Sequence, residues 1–142
     1  MFSNCTSLTV APELPARMLA DSCYFNMFRY CTSLTTAPEL PSIKLGRSCY
    51  TGMFQDCTNL TTAPVLPAIV LAEYCYNIMF YGCSNLNYIK AMFTTTPSTS
   101  YTKNWVSGVS STGTFVKNSA ATWNVSGANG IPNDWTVETA SE

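Results

Sequence analysis

Histidine is absent from all 142 residues. That removes the commonest general base and metal ligand, and with them any Ser/His/Asp or Cys/His arrangement. Charge is scarce as well: Asp, Glu, Lys and Arg make up 11% of the chain, less than half the roughly 25% of an ordinary globular protein. The seven basic and eight acidic side chains are scattered singly, so no stripe can follow a nucleic acid backbone or an anionic lipid surface. No apolar run nears the ~18 residues of a membrane-spanning helix, and the N-terminal stretch has neither the basic start nor the apolar core of a signal peptide. No CxxC spacing offers a metal site, and GTFVK and GANG lack the Gly-Lys-Ser/Thr ending of a phosphate loop. Nucleic acid partners, membrane insertion, enzymatic activity, cofactors and metals are therefore not expected.

What the sequence does have is a repeat. Sliding the chain against itself by 26 residues aligns Met1, Met27, Met53 and Met79, then Phe2, Phe28, Phe54 and Phe80, then Cys5, Cys31, Cys57 and Cys83. A fixed period between about 20 and 50 residues marks a solenoid or array in which each unit buries its apolar face only against its neighbours. Met1 falls on the repeat's own Met column, so the sequence reads as starting inside a repeat.

Within each unit, Leu19, Ala20, Cys23, Tyr24, Met27 and Phe28 fall on one stripe that reads as a helix of about ten residues. The stripe returns at Leu45 to Phe54 and Leu71 to Phe80. Before each stripe two positions are not repeated: Arg17 and Met18 become Ile43 and Lys44, then Ile69 and Val70, which places them outward or near an end. After each stripe comes CTSLTVAPELP, CTSLTTAPELP or CTNLTTAPVLP, where the threonines favour a short strand and the prolines stop it. The expected fold is an α/β repeat solenoid. It is a leucine-rich-repeat-like right-handed coil with one short parallel strand and one short helix per repeat, about 3.5 repeats over 1–92.

These motifs resemble the BspA-type leucine-rich repeats of bacterial surface proteins, especially the near-perfect CTSLTTAPELP copies of gut Bacteroidetes. The tail, with WVSG, GTFVKN and GIPNDWTV, resembles the usual C-terminal ending of the same proteins. Val10 for Thr, Val65 for the Glu of PELP, Gly46 for Ala and a period longer than the family's common one are departures. The resemblance implies a place at a cell surface or outside the cell and binding or adhesion to a protein or glycan. It supplies no residue-level binding motif.

Residues 93–142 read as a small β-rich C-terminal cap, with strands expected near 113–117 and 135–138. Its Trp105, Trp123 and Trp135 are candidate sugar-stacking residues, with the cap's own core as the rival reading. The seven cysteines fall in two columns, and free buried thiols are expected ahead of disulfides or a metal site. Glu13 and Glu39 share a column that Val65 interrupts, which reads as a solvated face. An uncapped first rung exposing Met1, Phe2, Cys5 and Leu8 is a candidate self-association surface. The leading functional expectation is a non-enzymatic surface-exposed binding or adhesion module. The alternative is a self-assembling structural protein, a fibre, appendage or phage tail component stacking end to end.

Overall fold

The structure, a computed structural model, describes residues 2–140. Three strands form: β1 (Tyr88–Ala91), β2 (Thr114–Asn118) and β3 (Thr136–Ala140). They make one open parallel sheet in the order β1-β2-β3, with Tyr88 opposite Thr114 and Thr114 opposite Thr136. No described residue is helical. The expectation of a leucine-rich-repeat-like α/β coil with a strand and a helix in every repeat is therefore overturned; the fold is helix-free and poor in strands.

The segments that read as helices are ladders of turns. Along Cys23, Phe25, Met27, Arg29 and Cys31, each amide donates to the carbonyl three residues back, at 3.1 to 3.4 Å. The amides between them, on Ser22, Tyr24, Asn26, Phe28 and Tyr30, donate instead to carbonyls of the next rung, on Arg47, Cys49, Thr51, Met53 and Gln55, at 2.8 to 3.0 Å. Rung after rung repeats this: Tyr50 donates to Cys75, Phe54 to Met79, Tyr76 to Tyr101 and Phe80 to Trp105. Every fourth residue is left-handed, at Ser22, Asn26 and Tyr30, then Ser48, Gly52 and Asp56, then Tyr74, Ile78 and Gly82, with φ between +48° and +77°. A residue in that region ends a right-handed helix and closes a tight turn.

The apolar pairs of this turn ribbon recur every four residues, which is the ribbon's own period. An α-helix advances 3.6 residues per turn, so a strict period of four drifts around it by about 40° each time. On the ribbon the same period keeps two residues facing in and two facing out without drift. The inward residues stack in columns. Phe2, Phe28, Phe54 and Phe80 lie 5.6 to 5.8 Å apart, and Tyr24, Tyr50 and Tyr76 lie 6.0 Å apart, with Trp105 closing the tyrosine column at 5.8 Å.

The expected strand in each Thr-Pro block is reduced to isolated contacts. Val10 bridges Thr36 and Met18 bridges Lys44, but Pro12, Pro15, Pro38 and Pro41 carry no amide hydrogen to extend the pairing. Only past the third rung, where Leu66 donates to Lys90 and Met92 to Leu66, does pairing lengthen toward β1. At the far end the ribbon is sealed by the tail. Asn104 donates its amide to Asn129 Oδ1 at 2.7 Å, Val106 donates to the Ala128 carbonyl, and Trp105 Nε1 donates to the Gly130 carbonyl at 2.9 Å.

Candidate recognition surface

The residues singled out in the sequence are placed as follows. Trp105, Trp123 and Trp135 are all buried, and each indole nitrogen donates to a backbone carbonyl, of Gly130, Phe93 and Ser110. Trp105 stacks on Tyr76 and Trp123 on Phe93, while Trp135 lies buried against Gly113, so none of the three presents a ring face to a sugar. Phe2, Cys5 and Leu8 are half-buried along the first rung, and Met1 lies outside the described residues. All seven cysteines are free; five are buried, Cys5 is half-buried, and Cys23 is exposed, contrary to the expectation that every thiol is covered. The Cys31, Cys57 and Cys83 thiols donate to the carbonyls of Phe2, Phe28 and Phe54 at 2.9 to 3.1 Å. Burial pushes Cys57 up to about 12 and Cys83 well above its ordinary value, so these are inert thiols rather than nucleophiles. Glu13 and Glu39 are exposed beside a cleft of about 470 Å³ lined by Pro12, Pro15, Pro38 and Pro41, where the prolines keep neighbouring rungs from pairing.

A different surface emerges once the ribbon is recognised. Its inward positions are constant: Leu19, Leu45 and Leu71; Cys23, Cys49 and Cys75; Tyr24, Tyr50 and Tyr76; Met27, Met53 and Met79; Phe28, Phe54 and Phe80. Its outward positions change from rung to rung, except that Ser22 is repeated at Ser48 before becoming Tyr74. Asp21 becomes Arg47 and then Glu73; Phe25 becomes Thr51 and Asn77; Asn26 becomes Gly52 and Ile78. Arg29 becomes Gln55 and Tyr81; Tyr30 becomes Asp56 and Gly82; and Met18, just before the ribbon, becomes Lys44 and Val70. Of all these, only Gly52 is buried, beneath Asn26. Sequence reading caught position 18 and its neighbour and missed the rest, because a helical stripe assigns these residues to no common face. The same 26-residue alignment carried the signal.

The face mixes aromatics with balanced charge. Phe25 is 49% exposed, Tyr30 37% and Tyr81 40%. Asp21, Asp56 and Glu73 oppose Lys44, Arg29 and Arg47 in equal number. Arg47 is held on three sides: its Nε pairs with Glu73 Oε1 at 3.0 Å, its amide donates to Asp21 Oδ1 at 2.9 Å, and its guanidinium lies 5.4 Å from the centre of the Tyr74 ring. Arg29 lies 4.7 Å from the centre of the Tyr30 ring, and its Nη2 donates to the Tyr30 hydroxyl at 3.3 Å. No group of side chains that could hold a metal ion occurs among the described residues; what the face presents is aromatic rings and paired charges.

Compared with models of known protein families, with curated proteins and with solved structures, the chain matches none. The likeness to BspA-type repeats thus rests on the Cys-x-x-Leu and PELP motifs and the tail motifs alone.

Proposed function

We propose that this chain is a non-enzymatic recognition module that binds a protein partner on the outward face of its turn ribbon. One observation carries the reading: a framework repeated almost letter for letter presents outward residues that, apart from Ser22 and Ser48, differ from rung to rung. Packing demands the identity of the inward columns, whereas the outward column at 25, 51 and 77 holds Phe, Thr and Asn; Thr51 and Asn77 each bond the backbone of the next rung, through Tyr74 and Lys103, and Phe25 makes no hydrogen bond through its side chain. Exposed Tyr, Phe and Arg among Asn, Thr and Gly match the composition of binding surfaces, where rigid aromatics anchor and small polar groups adapt. Balanced charge suits a folded protein better than a polyanion. The resemblance to BspA-type repeats adds an extracellular or cell-surface setting.

The two ends support this reading over a self-stacking fibre. Alternate ribbon amides point toward the following rung, and the carbonyls of Asp21, Cys23 and Phe25 accept no hydrogen bond among the described residues. At the other end the equivalent donors are already taken, Thr102 by Ser98 and Asn104 by Asn129.

A photo-crosslinking side chain at Thr51, on the face, and at Thr35, exposed on the Thr-Pro block, tests the proposal in cells that make the protein. Position 51 is expected to give discrete protein adducts that vanish on adding Phe25→Ser and Tyr81→Ser, with position 35 giving none. Equal adducts from both positions, or none from 51, would overturn it.

A further inference from the structure

We propose that Phe25, Arg29 and Tyr30 form the anchor of this face and that they take a carboxylate side chain of the protein partner, seated beside an apolar group. The inference rests on the recognition reading above and names the chemistry that it uses. Residues 25, 29 and 30 occupy successive outward corners of one rung, so the ribbon's four-residue period sets them side by side. Arg29 is already oriented. The Tyr30 ring lies 4.7 Å from its guanidinium carbon and the Tyr30 hydroxyl accepts from Nη2, which removes much of the rotamer freedom a free arginine loses on binding.

Arg29 is oriented but not neutralised. It makes no ion pair among the described residues, and its buried Nε has no hydrogen-bond partner. A charged donor left unpaired in a folded protein costs more than a neutral one, and calls for a reason. Arg47, one rung on, shows the contrast: Glu73 pairs with its guanidinium at 3.0 Å. At the position one rung on, where Glu73 meets Arg47, Arg29 has the uncharged Gln55, and the acid next to it in the chain is Asp56. Asp56 instead lays its Oδ1 over the Cα of Gly82, filling the space a Cβ there would need, and so leans toward the next rung. The half-buried Arg29 guanidinium is thus left without a carboxylate among the described residues. A planar guanidinium fork matches a carboxylate with two parallel hydrogen bonds. Phe25, 49% exposed, supplies the apolar wall that shields such a pair from water, as buried anchors in interfaces require.

Panning a displayed library of random peptides on the full chain tests this. Sequences enriched on the wild type are expected to carry Asp or Glu next to an aromatic or aliphatic residue. Their affinity should fall roughly tenfold to thirtyfold with Arg29→Gln, and by a similar factor when the peptide's acid is changed to its amide. The two changes together should cost little more than either alone, and Arg29→Lys should restore only part of the loss. Thermal melts of each variant, matching the wild type, show that the fold is kept. Enriched peptides without an acid, or losses that multiply independently, would overturn the anchor. If those peptides respond to Tyr81→Ser or Arg47→Ser but not to Arg29→Gln, the anchor fails while the recognition face stands. A library that yields no binder, or binders indifferent to every outward substitution, counts against both.

Discussion

Asn26 lays its side-chain Oδ1 over the Cα of Gly52, in the space that a Cβ at residue 52 would occupy. Gly52 is also left-handed, with φ of +63°, so two separate demands meet at one glycine. Gly52→Ala should therefore lower stability by about 1 to 3 kcal/mol in urea denaturation. Adding Asn26→Ala should recover the part due to the clash and leave the part due to the backbone. Full recovery would show that the backbone conformation carries no cost.

Which features of the chain could be read from its letters follows from what each feature depends on. Columns such as Phe2, Phe28, Phe54 and Phe80 are a matter of spacing, and spacing is written in the sequence. Helix against turn ribbon is not, because Leu19, Cys23 and Met27 are apolar on the same face of either. Only the strictness of the four-residue period separates them, and the left-handed residues that enforce it include Tyr30, Tyr74 and Ile78, which as residue types do not announce that conformation. The Thr-Pro blocks show threonines that favour strands and prolines that stop them, and the prolines win outside a few bridges. Trp105, Trp123 and Trp135 could have served a ligand or a core by composition; their depth, which decides, depends on residues such as Tyr76 and Phe93 from distant rungs. The outward face was hidden for the same reason as the ribbon: its members share a face only when the period is four.

Position 46 separates column reading from structure. Ala20 and Ala72 flank Gly46 in its column, so Gly46→Ala looks harmless from the alignment of repeats. A Cβ at 46 would stand 2.6 Å from the backbone carbon and oxygen of Ala20, atoms that cannot rotate away. Gly46→Ala is expected to destabilise by about 1 to 3 kcal/mol. A neutral result would mean that the first rung shifts freely over the second.

Position along the stack should set the cost of losing a core leucine. Leu60 is fully buried between two rungs, whereas Leu8, in the same column, is only half-buried on the first. Leu60→Ala should cost about 2 to 5 kcal/mol and Leu8→Ala nearer 1 kcal/mol, read from urea midpoints at unchanged slope. Equal costs would indicate that the first rung is as tightly covered as the interior.

The cysteine columns make stability depend on alkaline pH. Burial, with smaller repulsion from neighbouring thiols, pushes Cys49, Cys57 and Cys75 up to about 12 from an ordinary 9.0. A group whose pKa is higher folded than unfolded contributes stability that is complete below its unfolded pKa and is lost as pH rises through the folded one. Each thiol should thus cost about 1.4 kcal/mol per pH unit between its two values. Melting temperature should hold to about pH 9 and then fall steeply toward 12, and Cys57→Ala should flatten the slope even if it lowers the starting value. A melting temperature that stays level from pH 9 to 11 would contradict burial of these thiols.

Tyr76 tests the core from the opposite direction, by predicting a gain. Its ring is fully buried, stacked on Tyr50 at 6.0 Å and on Trp105 at 5.8 Å, and burial pushes its hydroxyl well above the ordinary tyrosine range. The hydroxyl has no hydrogen-bond partner among the described residues. Tyr76→Phe keeps both stacks and removes only that unpaired group, so stability should rise by about 1 kcal/mol. Tyr24→Phe, in the same column but half-buried on the first rung, should change stability by less than about 0.5 kcal/mol, because water can reach that hydroxyl in either state. A loss at Tyr76→Phe would mean that its hydroxyl is bonded in solution, and the tyrosine column would then hold a polar contact as well as packing. A gain at both positions would mean instead that the first rung buries Tyr24 as deeply as the interior buries Tyr76, which is how a covered first rung, rather than an open one, would behave.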